Sequence, residues 1–539
     1  MQQQIASSLS FLLVASQLAA PPTTNAQSDF GSTATPIKHI VVIFGENISF
    51  DHYWGTYPNA LNPAGEPRFF AAPGTSSVNG LTFGLLTHNP NALNSANGAG
   101  ATNPFRLDRS QAATADQDHD YTPEQEAFHA GLMDSFPEFT GTPGPPPSTP
   151  PAIVDTTGLV MGYYDGNTVT ALWNYAQHFA INDNAYGTNF GPSTVGAINL
   201  ISGQTNGVAD GVTAGGAVVG DGLGGFTDIG DANPILDTCS GGSGFEMSNE
   251  NQNIGNLLNA QGITWGWFEG GFDLSIRNSN GTTGCARSTK SAVTGVTEVD
   301  FIPHHEPFQY YASTANPSHA RPTSVAMIGR ADQANHQYDI NDFYATVKAG
   351  NMPAVSFLKA PGFQDAHAGY SDPIDEQNFV VSVINFLMTT PEWSSTAVFI
   401  NYDDSDGWYD HQLGQIVNQS STAADMLSSE GHCGTGTAAL PGPASGTTPV
   451  EGRCGYGPRI PLQVISPWAK ANFVDHTLTD QTSIIHFIED NWLHGQRIGQ
   501  GSFDAISGSV NNMFDFRHIT SPVPYLLDPA TGEPAGFAF

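Results

Sequence analysis

The sequence predicts an α/β fold built on a mostly parallel sheet. Five runs of apolar, often β-branched residues are typical of buried strands, and segments with apolar residues at three-to-four spacing are typical of helices. Continuous apolar strands that alternate with helices indicate a parallel sheet covered on both faces. The predicted strands are 37–44, 263–268, 354–358, 397–402 and 460–466, and the predicted helices are 169–180, 254–261, 378–388 and 482–493.

The chain length and its loop-rich stretches predict one large domain with insertions. A chain of 539 residues has room for about three to four average domains. A single α/β domain fits equally well, and the motif positions below favour it. Residues 138–152 are rich in proline, and residues 203–250 and 430–458 are rich in glycine, serine and threonine, as in surface loops. We predict one domain over residues 27–539, with insertions near 203–250 and 412–458.

The N-terminus has the pattern of a secretory signal peptide. An apolar stretch at residues 11–20 precedes small and polar residues, with a cleavage point after Ala26. The first residues carry no Lys or Arg, so a disordered or anchored N-terminus is the alternative. No other apolar stretch reaches the ~20 residues that span a bilayer. We therefore expect a secreted protein, extracellular or periplasmic, with no transmembrane segment.

The charge balance is strongly acidic. Lys and Arg total 16 against 50 Asp and Glu, a formal net charge of −34. Such a surface repels nucleic acid and anionic membranes, which argues against a polynucleotide partner. At acid pH the positive charge would come only from these 16 residues and 17 histidines. We therefore hypothesise an acidic extracellular habitat, which an activity and stability optimum at or above pH 8 would contradict.

The four cysteines occur outside any C-x-x-C pair, which argues against a thiolate zinc site or redox motif. In an exported chain an even number of cysteines indicates disulfides. Three connectivities are possible, and sequence proximity favours Cys239–Cys285 and Cys433–Cys454. Free buried thiols are the alternative.

The first motif with chemical content follows the predicted strand 37–44 and reads GENISFDHYWG, residues 45–55. Polar residues at the carboxyl end of a buried strand point into the crevice where open α/β sheets bind ligands. Glu46 and Asn47 offer a carboxylate and an amide oxygen, which are hard ligands for a divalent cation. A plain turn, with Asn47 and Asp51 as local caps, is the alternative.

The second motif follows the predicted strand 397–402 and reads NYDDSDGWYDH, residues 401–411. Adjacent carboxylates at a dry strand end, here Asp403 and Asp404, push one pKa upward unless a divalent cation keeps both ionised. A solvated Asp-rich turn is the alternative. The flanking Trp408 and Tyr409 argue against full solvation.

The third motif reads NFGPSTVGAINLISG, residues 189–203, and continues as either a helix or a buried strand. If it is a helix, Ser193 lies at its N-cap, where free N–H groups favour a phosphate. A hydroxyl there that touches a metal would become a nucleophile more easily. Simple capping is the better explanation for an isolated Gly-Pro-Ser. Ser193 becomes the stronger candidate for a nucleophile only if metal ligands lie beside it.

Scattered histidines complete the set of candidates. Imidazoles can donate to phosphoryl oxygens, ligate metal or protonate a leaving alkoxide, and this chain has few Lys or Arg for such roles. An isolated histidine is more often structural. The candidates are His119, His304, His305, His367 and His411, with the 304–305 pair between two prolines the most unusual.

These motifs resemble those of a known family, the bacterial and plant phosphoesterase family, which contains non-haemolytic phospholipases C and secreted acid phosphatases. The family's opening signature, QENRSFDHYFG after a strand, is similar to GENISFDHYWG, and its second, YDENDGFYDH, to YDDSDGWYDH. GYGPRIPLQVISPWAK resembles the last core strand of the family, and SIIHFIEDNW the helix after it. The matches follow family order over nearly the whole mature chain.

The resemblance implies an alkaline-phosphatase-like α/β/α sandwich and a serine or threonine nucleophile that ligates a metal. The family often reads GPTxPNR where this chain reads GPSTVGA, which places Ser193 at the nucleophile and leaves Thr194 as the alternative. The metal ligands implied are Glu46, Asn47, Ser193, Asp403 and Asp404.

The resemblance also implies a reaction through a phosphoserine, on a phosphate ester, with one or more divalent ions. The identity of the ion stays open among calcium, magnesium, manganese, zinc and iron. The histidines that recur around the family's site correspond to His119, His304, His305 and His367, which would stabilise charge and protonate the leaving oxygen.

Some positions depart from the family pattern. Gly45 replaces the usual Gln, Ile48 the usual Arg, and the PNR triplet is missing. These differences leave the ligand set intact but affect substrate contacts. Since the C-terminal modules common in the bacterial phospholipases C are not seen, we expect an acid phosphatase. The alternatives are a phospholipase C and a catalytically silent exported binding protein.

Overall fold

The central sheet is the frame on which the rest of the chain is arranged. The computed structural model describes residues 32–144, 152–209, 215–434, 449–521 and 523–535, and the predicted signal peptide at residues 1–26 lies outside them. The sheet has eight strands. They are β1 His39–Gly45, β2 Ala180–Asn182, β3 Trp265–Glu269, β4 Gln337–Asp339, β5 Val355–Lys359, β6 Thr396–Tyr402, β7 Leu462–Ile465 and β8 Phe473–Asp475.

The strand order is β4-β3-β5-β1-β6-β7-β2-β8, and every pairing is parallel except the two that β7 makes. Every residue of β1 and of β6 is buried, so both faces of the sheet are covered. Such strands read as continuous apolar runs because neither face meets water. The α/β class and the mostly parallel sheet are confirmed.

Eleven α-helices lie in the described residues. The four predicted helices are among them, and the longest begins at Pro373, earlier than predicted, because the Asp372 side chain accepts the N–H groups of Ile374 and Asp375. The helices are α1 Phe50–Trp54, α2 Phe83–Thr87, α3 Pro90–Leu93, α4 Tyr121–Phe128, α5 Phe136–Phe139, α6 Thr170–His178, α7 Ser193–Ser202, α8 Ile254–Ala260, α9 Ile340–Lys348, α10 Pro373–Met388 and α11 Thr482–Trp492.

The prediction for residues 203–250 needs a correction, because this insertion is not loop throughout. Its strands Asn206–Val208, Val218–Gly220 and Phe226–Asp228 form a small antiparallel sheet. Each strand is only three residues long, too short for a periodic signal in a Gly-rich segment. Residues 210–214 and 435–448, within the two predicted insertions, lie outside the described residues. The assignment to a single domain stays a prediction.

Two disulfides and three smaller pairs of strands lie outside the central sheet. Cys239 is bonded to Cys285 and Cys433 to Cys454, so the favoured pairing is confirmed. Within the described ranges no helix combines the length and apolar character that crossing a bilayer requires. The pairs are Phe105–Arg106 with Gly162–Tyr163, Ala185–Tyr186 with Thr479–Asp480, and Ser288–Lys290 with Thr297–Val299.

Candidate functional site

The two acidic motifs meet at the carboxyl edge of the sheet. Strands β1 and β6 are parallel neighbours, and Gly45 at the end of β1 is paired with Tyr402 at the end of β6. The residues that follow each strand are therefore side by side. Glu46, Asn47, Asp403 and Asp404 are all buried there, and the backbone N–H of Asn47 donates to Asp403 Oδ1 at 2.9 Å.

Ser193 lies in the middle of this group. Its Oγ donates to Glu46 Oε2 at 2.9 Å and lies 3.2 Å from Asp404 Oδ2 and 3.5 Å from Asn47 Oδ1. The prediction placed Ser193 at an N-cap, but it is the first helical residue of α7, and Pro192 holds the cap position. The hydroxyl is thus free of capping and faces the acidic side chains.

A glycine lets the serine helix approach the sheet closely. A Cβ at Gly196, one turn into α7, would lie only 2.1 Å from the backbone oxygen of Asp403. A side chain there would push α7 away from the Asp403 loop. Gly196 therefore sets the distance between the serine and the carboxylates.

Each carboxylate keeps one oxygen on a protein donor and turns the other toward the centre. Asp403 Oδ1 accepts the N–H groups of Asn47 and Asp404, at 2.9 and 2.8 Å, while its buried Oδ2 has no hydrogen-bond partner among the described residues. Asp404 Oδ1 accepts the N–H of Asp406 at 2.7 Å. Such a set of fixed, inward-facing oxygens suits a hard divalent cation, and the orphaned Asp403 oxygen points to one.

Lys359 is a member of the site that sequence reasoning missed. It is fully buried at the end of β5, its Nζ bonds Glu46 Oε1, and it lies 3.8 Å from Asp403 Oδ2. The rule that polar residues follow buried strands would have found it, because Lys359 comes directly after the predicted strand 354–358. It is the ammonium that directly faces the acidic set.

Burial and mutual repulsion perturb the acidic groups. Burial raises the pKa of Glu46 well above its ordinary 4.5, and Asp403 adds to this, while Lys359 opposes it. Burial also raises the pKa of Asp404, reinforced by Asp403 and opposed by His119. A carboxylate cluster in this state favours protons or a cation as its counter-charge.

His119 and His367 lie together on one side of the site, with ring centroids 5.9 Å apart. His119 Nδ1 donates to the carbonyl of Gln117 at 2.8 Å, and its Nε2 is 3.4 Å from Asn47 Nδ2. Burial acts to lower the pKa of His119, but the carboxylates of Asp404 and Asp406, among others, raise it well above 6.5. These carboxylates therefore favour the charged form of His119.

His305 and His304 lie on the other side. His305 Nδ1 is 3.4 Å from Glu46 Oε1, and burial lowers its pKa well below 6.5, so it is neutral. His304 stacks edge-on against it, with centroids 4.6 Å apart, and its Nε2 is 3.9 Å from Asp231 Oδ2. The structure thus brings all four predicted histidines around the acidic group, with His304 the outermost.

The alternative nucleophile, Thr194, occupies a different position. Its backbone N–H donates to Asp231 Oδ1 at 2.9 Å, and its Oγ1 lies 3.5 Å from the hydroxyl of Tyr310. The Ser193 hydroxyl, by contrast, contacts the acidic set directly. The geometry favours Ser193.

Comparison with known proteins identifies the family. A model of the Phosphoesterase family matches residues 37–493. The chain belongs to the Phosphoesterase family. Among relatives, a non-hemolytic phospholipase C of Burkholderia pseudomallei is 26% identical over 93% of this chain and 62% of its own length. A second, from Pseudomonas aeruginosa, is 24% identical over 92% of this chain and 60% of its own length.

A further relative is phospholipase C B of Mycobacterium tuberculosis, 22% identical over 92% of this chain and 80% of its own length. The chain spans about three fifths of the length of the Burkholderia and Pseudomonas relatives.

Solved structures with some likeness include a phosphonate monoester hydrolase of Silicibacter pomeroyi, 13% identical, covering 61% of this chain and 69% of that chain with a TM-score of 0.27. Another is an alkaline phosphatase superfamily protein of Vibrio parahaemolyticus, 10% identical, covering 77% and 78% with the same TM-score. These scores are too low to support an argument.

Gly45, one of the departures from the Phosphoesterase family pattern, packs closely against Tyr402. A Cβ at Gly45 would lie 2.6 Å from Cε1 of Tyr402. The Tyr402 ring, held by its hydroxyl on Glu376, fills the space that a longer side chain at position 45 would need.

His411 lies in a separate buried group and not at the centre. Its Nδ1 is 2.6 Å from Asp51 Oδ2. Arg459 lies 3.0 Å from both Asp51 Oδ1 and Asp410 Oδ2. Because the guanidinium neutralises these carboxylates, the group joins the two Phosphoesterase family motifs rather than offering a cation site.

Proposed function

We propose that the chain is a metal-dependent phosphoester hydrolase, most like an acid phosphatase, in which Ser193 attacks phosphorus. The observation that carries the proposal is the position of the Ser193 hydroxyl, within 3.5 Å of oxygens from three different polar side chains. A hydroxyl so placed is what a metal-activated nucleophile requires. Membership of the family and the names of the relatives support the same reaction class.

The acidic set has the chemistry to hold a divalent cation. Asp403 Oδ2 is buried without a hydrogen-bond partner among the described residues, and the other inward oxygens face the same serine. When bound, the cation would lower the pKa of the serine hydroxyl and offset charge on the phosphoryl oxygens. Oxygen ligands allow magnesium, calcium or manganese, and imidazole participation would also allow zinc or iron. The proposed ligands are Glu46, Asn47, Ser193, Asp403 and Asp404.

In the first step Ser193 Oγ forms a bond to phosphorus and the bond from phosphorus to the leaving oxygen breaks, which gives a phosphoserine. As this bond forms, the serine proton passes along its hydrogen bond to the Glu46 Oε2 carboxylate oxygen. His119, whose charged form the neighbouring carboxylates favour, is placed close to Asn47 to protonate the leaving oxygen. Water then attacks the phosphoserine and gives its proton to the now neutral His119, the bond from phosphorus to Ser193 Oγ breaks, and Oγ takes back the proton that Glu46 held.

The neighbouring histidines have supporting roles in this proposal. His367 packs edge-on against His119 and fixes the direction of its ring. His305, which is neutral, can donate to a phosphoryl oxygen from the Glu46 side, and His304 extends that side toward solvent. Charge stabilisation by such preorganised groups should supply most of the rate.

Substitution of the nucleophile tests the proposal. Ser193→Ala should lower turnover of an aryl phosphate by several orders of magnitude while the circular dichroism spectrum is unchanged, since only the attacking atom is lost. Thr194→Val, which keeps the shape of the neighbouring side chain, is the matched control and should retain activity. Near-wild-type turnover in Ser193→Ala would refute the mechanism.

A phospholipase C is the second candidate, and the names of the relatives favour it. Hydrolysis of phosphatidylcholine vesicles, measured beside an aryl phosphate, separates the two. A phosphatase should prefer the small monoester, and a phospholipase C should release phosphocholine from the vesicles. If the protein hydrolyses neither substrate with metal present, a catalytically silent exported binding protein is the remaining alternative.

Two further parts of the proposal, activity at acid pH and export of the protein, rest on other features. Burial raises the pKa of several carboxyl groups, to about 7 for Glu124 and Glu376, so the fold keeps these groups neutral in mild acid. The two disulfides are typical of an oxidising compartment. Mass spectrometry of protein from the culture medium should find a mature N-terminus at Gln27, and retention of residues 1–26 would contradict export by a cleaved signal.

A further inference from the structure

Glu124 is a fully buried carboxylate on α4 that joins two loops of the site. Its Oε1 accepts the hydroxyl of Ser405 at 2.6 Å, and its Oε2 accepts the backbone N–H of Gly191 at 3.1 Å. Both oxygens are therefore occupied by donors from distant parts of the chain. A buried carboxyl group that is hydrogen-bonded to two such donors fixes their relative position.

The two donors belong to the loops that carry the chemistry. Ser405 follows Asp404, and Gly191 lies two residues before Ser193. Gly191 has a φ of 119°, a conformation open only to glycine, so its own backbone offers little restraint. The hydrogen bond to Glu124 restrains it instead.

The same segment also carries the imidazole. His119 lies just before α4, and the hydroxyl of Ser405 accepts the N–H of Gly407, so the hydrogen bonds extend from Glu124 along the loop that follows Asp404. The segment that contains His119 and Glu124 thus fixes the proton donor, the loop before Ser193 and the loop after Asp404 relative to one another. No other side chain in the described residues is hydrogen-bonded to both Gly191 and Ser405.

We infer that Glu124 is a positioning residue for the reaction: it locks the loop of the nucleophile to the loop of the metal ligands. This inference rests on the proposed function. Near-attack geometry is sensitive to small shifts, and a displacement of about 1 Å costs on the order of a hundredfold in rate. Because the hydrogen bonds of Glu124 go to Gly191 and Ser405 and not to the proposed metal ligands, its loss should act on turnover and leave binding intact.

The test compares two replacements of equal size. Glu124→Met removes both acceptors, and kcat for an aryl phosphate should fall about a hundredfold, with KM and the amount of bound metal within threefold of wild type. Glu124→Gln keeps one acceptor and can donate to the Ser405 hydroxyl, so kcat should stay within about fivefold of wild type. Rescue by glutamine at unchanged KM separates positioning from general damage to the fold.

A double substitution tests the contact itself. Ser405→Ala should lower kcat several-fold, and Glu124→Met/Ser405→Ala should be no slower than Glu124→Met alone, because both remove the same link. Glu126→Met, on the same helix and half-exposed, is the matched control and should have wild-type kcat. If Glu124→Met does not fold, the kcat of Ser405→Ala still tests the inference.

Three outcomes would overturn the inference: wild-type kcat in Ser405→Ala, a kcat for Glu124→Met within threefold of wild type, or losses in the double variant that multiply. An inactive wild-type protein would instead refute the proposed function. The two failures are therefore distinguishable.

Discussion

Because Glu376 is a buried carboxyl group, we expect the protein to lose stability as the pH rises from mild acid to neutrality. Its side chain is buried and accepts hydrogen bonds from the hydroxyls of Tyr53 and Tyr402. Burial raises its pKa from 4.5 to about 7, although the two tyrosine hydroxyls oppose the change. The neutral acid is thus the form that the fold prefers.

The direction of the effect follows from proton linkage. Below pH 4.5 the group is protonated in both the folded and the unfolded chain, and its contribution is fully present. Between 4.5 and about 7 the unfolded chain releases the proton while the folded chain keeps it, so the free energy of unfolding falls as the pH rises. At about 1.4 kcal/mol per pH unit, the whole interval corresponds to about 3 kcal/mol.

Glu376→Gln isolates this contribution, because glutamine has the shape and hydrogen-bonding pattern of the neutral acid. At pH 4 the variant should match wild type within about 1 kcal/mol. At pH 8 it should be more stable than wild type by up to about 3 kcal/mol, since it has no proton to lose. Urea unfolding at both pH values, with chelator present, measures the difference between the two proteins. The exposed Glu430→Gln is the control and should follow wild type. Parallel pH curves for wild type and Glu376→Gln would refute the reasoning.

Three further predictions concern the centre. Lys359→Met leaves the buried carboxyl groups of Glu46 and Asp403 without their ammonium, and urea titrations should show a free energy of unfolding lower by about 3–5 kcal/mol. The substitution of an exposed lysine, Lys290→Met, is the control and should have no such effect. Equal effects of the two substitutions would contradict a stabilising ion pair at Lys359. Gly196→Ala should lower kcat about a hundredfold, because its methyl meets the Asp403 backbone, while Gly216→Ala, with open space around it, should be neutral. A divalent ion at a hundred times its Kd should stabilise the chelated protein by about 2.7 kcal/mol in thermal unfolding, and Asp403→Asn should abolish most of that gain.

The longer strands of the sheet could be predicted from the sequence, and the three shortest could not. β1 and β6 are buried on both faces, so each is a continuous apolar run followed by polar residues. β2, β4 and β8 are three residues long and owe their pairing to neighbours distant in sequence. Short strands carry no periodic signal and depend on tertiary context.

The helix of the serine shows a second limit. Every residue of α7 is buried, so its sequence lacks the apolar and polar alternation that distinguishes a helix from a buried strand. Its packing became apparent only with the structure, through the contact of Gly196 with the Asp403 loop.

Sequence motifs pointed to four of the polar residues at the centre but not to Lys359 or to the residues that hold the site in place. Glu46, Asn47, Asp403 and Asp404 follow strands and sit in recognisable patterns. Glu124 serves the site through contacts with Ser405 and Gly191, which are far from it in sequence. Such long-range hydrogen bonds leave no local pattern to read.

The charges at the centre allow one more inference, on the number of ions. Glu46, Asp365, Asp403 and Asp404 bring four carboxyl groups into a buried space, and Lys359 supplies one ammonium. Asp406 lies 3.5 Å from His119, whose charged form balances it. If all four carboxyl groups are ionised, three negative charges are left over the one ammonium, and burying uncompensated charge is costly. One divalent ion and one proton restore neutrality, whereas two divalent ions would leave an excess of positive charge. We therefore expect one divalent ion for each chain by elemental analysis of the purified protein, and two tightly held ions would contradict this charge balance.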